Sequence, residues 1–534
     1  MKKVVLIFLF LLVVGLRLHD LSAPAIGYHN MKEIEALSVA DTMEMTGNFL
    51  DRKTTFDNWL TDKPMTMYAQ IPWVSYQVVA CRKLFGDSLA WPRLVNIFYM
   101  ALSVSVFFEI TLLLDLSFLA AVCSSVVLAI MPLTNFFSRN LQPESGAFFW
   151  MLCSVFVVLK FLRDGRLRWV YLFSLCVAVT ASYKMSFLFP LISFGVFVPD
   201  LLKRSRGRLL HVLFALILCP AFLVWWFYLT GQLSFNGSAE RIGRGLFFSL
   251  GYWKDNGQIF WSYLTENYGL CLWLFSSVGT LFALPGIFAN KKYARFVAGS
   301  LFSAGLYCWF FSDYLRMHSY YQFPYAYFVA LTAGFFISGF GETYVRICKR
   351  PTVYGGLMAA LLFAVALPDV IANSQRSYRT KFYGQDVVGK ELAPFLKRNE
   401  KIVRYGQCQE FAVCRYAGVQ CGSADTLDDF IEVEEKIGLR YVLFSEYGRT
   451  LIAPSVWDYI KEHYSIKVVG FVPTNNGAAS RWFVLERGGR YDYAGFWDSY
   501  GSAARVAAVY GDVPYVLVSA FPQKESHAQT VLEK

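Results

Sequence analysis

A few short segments of this chain carry ionisable residues beside apolar runs, outside its basic loops. "MKEIEALSVADTM" supplies Lys32, Glu33 and Glu35, and "TDKPM" supplies Lys63. "FFSRNLQPESG" supplies Arg139 and Glu144, "SYKMSF" supplies Lys184, and "MHSYYQF" supplies His318, Tyr320 and Tyr321. Carboxylates accept protons and ammonium groups hold anions. Ionisable groups at a membrane edge are costly, and they mark either function or a need for pairing. Both readings stand for each residue here. Glu144 has Arg139 five residues back as a possible partner, Lys184 has the length to snorkel to the interface, and His318 suits a cap or an interfacial position.

The elements that must position these residues follow from composition. The chain has 534 residues, 56% of them hydrophobic, 18% aromatic and 17% charged. A soluble domain is about 45–50% apolar and about 25% charged. A bilayer span needs about 20 apolar residues, and on that measure about eleven stretches qualify: 3–19, 92–114, 117–133, 144–162, 167–183, 185–199, 209–230, 269–289, 295–311, 319–340 and 354–373. The first resembles a secretory leader without a small-residue cleavage site, so it reads as an uncleaved span. The basic loops 160–169, 201–210, 290–295 and 345–351 all fall on the side of the N-terminal "MKK". By the positive-inside rule the N-terminus is expected inside and the C-terminus outside a cytoplasmic membrane. Loop 20–91, the turn at 134–144, the turn at Lys184, loop 231–268 and the His318 segment then share the outer face. The net charge of +11 is carried mostly by the short basic loops between apolar runs and forms no basic stripe, so no nucleic-acid partner is expected.

Within loop 20–91, Ile34, Leu37, Val39, Ala40 and Met43 have roughly helical spacing, expected of a helix lying in the interface. From about residue 378 the pattern changes. "KIVRYG", "RYVLFSE" and "SIKVVGFV" read as strands between amphipathic helices "DVVGKELAPFLKRN", "TLDDFIEVEEKIG" and "PSVWDYIKEHY". That alternation predicts a small α/β domain with a mainly parallel sheet. The expected organisation is a transmembrane domain over 1–377, with interfacial helices in its first outer loop, and an extracytoplasmic α/β domain over 378–534. Most of the 11 cysteines are isolated in apolar spans. Cys408, Cys414 and Cys421 cluster in the tail, where a disulfide between two of them and three buried thiols are equal expectations.

In order and sidedness, these segments resemble the membrane-embedded GT-C glycosyltransferases of the dolichyl-phosphate-mannose-protein mannosyltransferase type, a superfamily that includes the lipid A aminoarabinose transferases. "KEIEALSVADTM" is similar to the family's first outer loop, where an Asp-Glu pair precedes the helix. Here Lys32 stands at the Asp position and Glu33 at the Glu position. "DKPMTMYAQIPW…KLFG" is similar to the family's Lys-Pro-Pro…Leu-Phe-Gly stretch, and "FFSRNLQPESGAFFW" to its second outer loop, with Glu144 at an acidic position. "YKMSFLFPL" and "HSYYQFPYAYF" are similar to later outer-face segments.

The resemblance implies a polytopic α-helical fold and a sugar donor carried on a polyprenyl phosphate. The sugar would pass to a protein or glycolipid acceptor outside the cytoplasmic membrane, with inversion. A carboxylate base would take the acceptor's proton, worth about 10²–10⁴-fold. Glu33 is the first candidate, with Glu35 and Glu144 as alternatives because the family's catalytic Asp is replaced by Lys32. Lys63, Lys184, Arg139, Lys32, His318, Tyr320 and Tyr321 are candidates for holding the donor phosphate. Some relatives bind a divalent metal there, for which His318 and Glu33 are the candidates. The aromatic runs "WWFYLTGQLSF" and "GQIFWSYLTENYG" suit the border of an apolar groove for the donor tail. Two other classes stay open: a catalytically inactive relative that binds lipid-linked sugar, for which Lys32 is the argument, and a transporter. A transporter would show interrupted hydrophobic segments in corresponding halves, which this sequence lacks.

Overall fold

The computed structural model describes residues 1–54, 71–205, 209–229, 250–397, 400–406, 408–475 and 477–522. The chain forms two compact units, one of Met1–Ala23 with Tyr68–Arg379 and one of Pro24–Met67 with Thr380–Lys534.

The first unit is helical, and each of the eleven apolar stretches contains helix. Among the described residues, six helical stretches are long and apolar enough to cross a membrane: Ala90–Leu113, Glu144–Asp164, Met185–Ser205, Leu270–Ile287, Ser319–Ile347 and Val353–Arg379. Others in the expected set are shorter, such as Lys2–Gly15 with 14 residues, Phe118–Ile130 with 13 and Arg168–Tyr183 with 16. Small residues bring helices together. Gly334 lies against Ser124, and Gly279 against the Thr332 carbonyl, so closely that a Cβ at either position would collide. Interfaces of this kind suit helices in lipid, where association depends on close packing.

Ion pairs tie the N-terminal segment and the basic loop 290–295 to neighbouring helices and turns. Lys2 meets Glu109 at 2.6 Å, Lys292 meets Asp115 at 3.0 Å, and Arg295 meets Asp200 at 2.7 Å. Two of the long stretches begin as tight 3-10 turns, Met185–Phe197 around Pro190 and Ser319–Tyr325 around Pro324. The residues just before them, Lys184 and His318, are extended, with φ of −163° and −143°. Proline cannot donate a helical hydrogen bond, and irregular backbone inside a helical bundle often marks a functional position.

The second unit is an α/β domain around one seven-stranded sheet. Its strands are β1 (Lys401–Tyr405), β2 (Gln420–Gly422), β3 (Tyr441–Ser445), β4 (Tyr464–Thr474), β5 (Gly477–Arg487), β6 (Arg505–Tyr510) and β7 (Val513–Ser519), in the order β2-β1-β3-β5-β4-β7-β6. β1 is parallel to β2 and β3, and the remaining pairings are antiparallel. The sheet is therefore mixed rather than mainly parallel, because β4–β5 and β6–β7 are hairpins. The second hairpin comes from the stretch after residue 488, which reads as irregular. Helices Gln385–Leu392, Leu427–Ile437 and Pro454–His463 occupy the three expected helical segments. Val403, Val442, Phe444, Ile466, Val469, Leu485 and Val518 pack the core with Phe430, Val456 and Ile460. Cys414 and Cys421 form a disulfide, while the side chain of Cys408 lies outside the described residues.

The stretch 24–67, expected as part of the membrane domain, groups with the tail. Its helix Met31–Thr46 carries Asp41, which takes two hydrogen bonds from Arg415, at 2.8 and 3.1 Å. Asn30 Nδ2 donates to Gln385 Oε1 at 3.1 Å, and the Phe382 N–H donates to the Ile26 carbonyl at 2.7 Å. The expected helix is present, but over its first three turns most of its polar residues are buried, with Lys32 and Asp41 partly exposed. Glu33, Glu35, Ser38 and Thr42 are buried along with Ile34, Leu37, Val39, Ala40 and Met43.

Candidate active site

Glu144 opens the helix Glu144–Asp164, and Lys184 follows the end of Arg168–Tyr183. These two helices pack side by side, which brings the residues together. The Lys184 Nζ lies 2.6 Å from Glu144 Oε1, with the side chains 11% and 1% exposed. Glu144 Oε2 is buried and has no hydrogen-bond partner among the described residues. Glu144 therefore pairs with Lys184 and not with Arg139.

The ammonium of Lys184 also sits over two aromatic faces, 4.9 Å from the Tyr320 ring centre and 4.3 Å from that of Tyr321. Such placement stabilises a cation by roughly 0.5–2 kcal/mol. The rings form a stack, with His318 on Tyr320 at 5.2 Å, Tyr320 on Tyr321 at 5.2 Å and Tyr314 on Tyr321 at 5.1 Å. The backbone beneath is fixed by buried polar groups. Tyr307 Oη donates to the Tyr321 carbonyl at 2.8 Å, and Asn267 Nδ2 donates to the Ser319 carbonyl at 2.9 Å and to Gln322 Oε1 at 3.0 Å. Sequence reasoning did not single out Tyr307, Tyr314, Asn267 or Gln322. Asn267 does lie in the "GQIFWSYLTENYG" run that drew attention for another reason.

Arg139 has a different setting. Its guanidinium donates to the His19 carbonyl and to the Asp20 carbonyl, the latter at 2.8 Å, and lies 5.2 Å from the Tyr378 ring centre. Next to it Arg17 is fully buried, donating to Ser138 Oγ at 2.7 Å and to the Val13 and Ala129 carbonyls at 3.0 Å. Together they tie the first helix to the turn before Glu144.

The same unit holds an apolar cavity of about 520 Å³, lined by Trp253, Phe260, Leu264, Tyr268, Leu301 and Phe328 among others, with Gln322 on its wall. Phe260, Leu264 and Tyr268 come from the "GQIFWSYLTENYG" run. Gln322 is one residue from Tyr321, so the cavity wall and the Lys184 stack share one segment of chain.

In the second unit, Lys32 pairs with Glu35 at 2.7 Å, one turn apart on the helix Met31–Thr46. Glu33, in its first turn, is 4% exposed. Lys63 lies outside the described residues, as does much of the "WWFYLTGQLSF" run. Among the described residues, no group of three or more His, Cys, Asp or Glu is placed to hold a metal ion.

The fold has known counterparts. The crystal structure of the Archaeoglobus fulgidus oligosaccharyltransferase tethered to an acceptor peptide superposes with a TM-score of 0.56 at 12% identity, over 90% of this chain and 74% of that one. ArnT from Cupriavidus metallidurans in the apo state superposes with a TM-score of 0.56 at 12% identity, over 91% of this chain and 96% of that one. The same ArnT bound to undecaprenyl phosphate gives 0.51 at 13% identity over 98% of each chain. No protein-family model and no curated protein matches the sequence. The fold implied by the sequence resemblance, that of the GT-C glycosyltransferases, is the fold of this chain.

Proposed function

We propose that this protein is a polyprenyl-phosphate-dependent glycosyltransferase of the cytoplasmic membrane, acting on the outer face, with its N-terminus inside and its α/β domain outside. The buried Lys184–Glu144 pair under the Tyr320–Tyr321 stack is the observation that carries the reading. It is a cation held between helices of an apolar unit, which suits a lipid-linked phosphate. Support also comes from neighbours of the same fold, since one ArnT structure is bound to undecaprenyl phosphate and one archaeal oligosaccharyltransferase structure contains a dolichol-phosphate.

In this reading the acceptor oxygen or nitrogen attacks C1 of the donor sugar, the C1–O bond to phosphate breaks, and configuration inverts. Lys184 neutralises the charge that grows on the leaving phosphate, with Lys63 as a second cation and the rings of Tyr320 and Tyr321 beside it. Glu144 holds the Lys184 side chain in place through their 2.6 Å ion pair. A base must stand on the face of the sugar opposite the leaving group. In this reading Glu33 is that base, by its place in the sequence resemblance, with Glu35 and Glu144 as the alternatives. Lys32, held by Glu35, is a positioning residue in this scheme, and Arg139 supports the turn that carries Glu144. The apolar cavity beside Gln322 takes the first isoprene units of the donor.

The test is turnover of a polyprenyl-phosphate sugar by the purified protein. Release of free polyprenyl phosphate with label in the acceptor supports transfer. Tight donor binding without release supports the inactive relative instead, and movement of intact donor across sealed vesicles supports a transporter.

A further inference from the structure

The α/β unit contains a polar pocket that sugar transfer by the helical unit does not use. In the sheet, the chain leaves β1 toward β2 on one side and returns to β3 on the other. Where strand order reverses in this way, loops diverge at the carboxyl ends of the parallel strands and leave a crevice, the usual ligand position in open α/β sheets. A pocket of about 520 Å³ lies there, with Glu410 from the loop after β1, Glu446 and Tyr447 from the turn after β3, Arg481 and Trp482 from β5, and Gln385.

Two buried donors in its lining await a partner. Gln385 is fully buried and its Oε1 accepts from Asn30, yet its Nε2 has no hydrogen-bond partner among the described residues. Arg481 donates from one terminal nitrogen to the Ala478 carbonyl at 3.2 Å, while its buried Nε likewise has none. A buried donor left without a partner costs about 1–3 kcal/mol, so a ligand that accepts from both recovers that cost. Ser480, next to Arg481, holds a positive φ of 51°, a left-handed conformation that non-glycine residues adopt only uncommonly.

We propose that this pocket binds a saccharide. Glu410 and Glu446 balance Lys381 and Arg481 in the lining, so the pocket favours neither an anion nor a cation. Carboxylate acceptors beside amide and guanidinium donors match vicinal hydroxyls, each of which donates and accepts. Tyr447, 49% exposed, supplies a flat face for the C–H side of a pyranose ring. A peptide would pair with a free strand edge, but β3 is flanked by β1 and β5, and β5 by β3 and β4. The pocket thus goes beyond the transfer reading, and its saccharide affinity does not depend on it.

The test uses the full chain in lipid nanodiscs, free of sugar-based detergent, on an array of neutral, amino and acidic oligosaccharides with a random-peptide array beside it. At least one saccharide class should be captured. Tyr447→Ala and Glu446→Gln lie on exposed positions that leave the fold intact, and each should weaken capture about tenfold. Lys184→Ala, which strikes the transfer site, should leave capture within about twofold. Capture of no saccharide, capture of peptides alone, equal capture by Tyr447→Ala, or loss of capture in Lys184→Ala would each overturn the proposal.

Discussion

The Lys184 ammonium and the Glu144 carboxylate meet at 2.6 Å across forty residues of sequence, both nearly out of solvent. Removing one member of a buried pair leaves the other charge uncompensated, at about 3–5 kcal/mol. The pair is therefore a structural link between two helices, and in the proposed transfer reading its lysine also meets the donor phosphate.

That dual role sets the first expectation. Lys184→Ala should raise the donor KM and lower kcat together, because the lysine charge acts on the bound phosphate and on the departing one. Glu144→Gln keeps the side-chain shape and should cost less, mainly through a less well-aimed lysine. Thermal unfolding of each variant separates loss of fold from loss of function. An unchanged donor KM in a folded Lys184→Ala protein would remove the phosphate role.

Glu33 carries the second. Glu33→Gln retains size and hydrogen bonding but cannot take a proton, so turnover should fall about 10²–10⁴-fold with donor binding nearly intact. Glu35→Gln breaks the pair with Lys32 and should matter less. Near-normal turnover in Glu33→Gln beside a dead Glu144→Gln would move the base to the second outer loop.

Much of this was legible in the sequence for a physical reason. Apolar runs near span length can satisfy their backbone in lipid only as helix, and all eleven such stretches contain helix. Lys184 and the His318-Ser-Tyr-Tyr segment stood out because charge and aromatic clusters beside apolar runs are rare. The partner of Glu144 was not legible. Arg139 is near in sequence, but helix packing delivers Lys184 and leaves Arg139 to backbone carbonyls. The burial of Glu33 and Glu35 on helix Met31–Thr46 was equally hidden, since periodicity reports one apolar face and not what covers the other. β5 was missed because its opening residues, "GAAS", have little strand preference and gain order from their neighbour β4.

Sidedness gives the third expectation. The basic loops 160–169, 201–210 and 290–295 should lie inside and the α/β unit outside. Single cysteines placed at the exposed positions 203 and 432, in a background without accessible thiols, should react with an impermeant maleimide in intact cells only at 432. Labelling at 203 alone would reverse the topology and remove the outer face as the place of reaction.

The last expectation concerns acid. Glu486 on β5 accepts from Arg440 Nε at 2.8 Å and from Tyr441 Oη at 3.2 Å, and pairs with Lys467 at 3.2 Å. Burial alone would raise its pKa, but the hydrogen bonds and charges of Arg440 and Lys467 outweigh burial and hold it below the ordinary 4.5. A carboxylate whose pKa is lowered by folding contributes stability that is complete above its unfolded value. That contribution is lost as pH falls through the lower, folded value. Glu486→Gln should therefore loosen the α/β unit at pH 7, seen as faster amide hydrogen exchange along β3 and β5 in the full chain. The gap between the variant and the parent protein should hold down to about pH 5 and close as the pH drops through the range below 4.5. A gap of the same size at every pH would mean that Glu486 acts there by packing and not by charge.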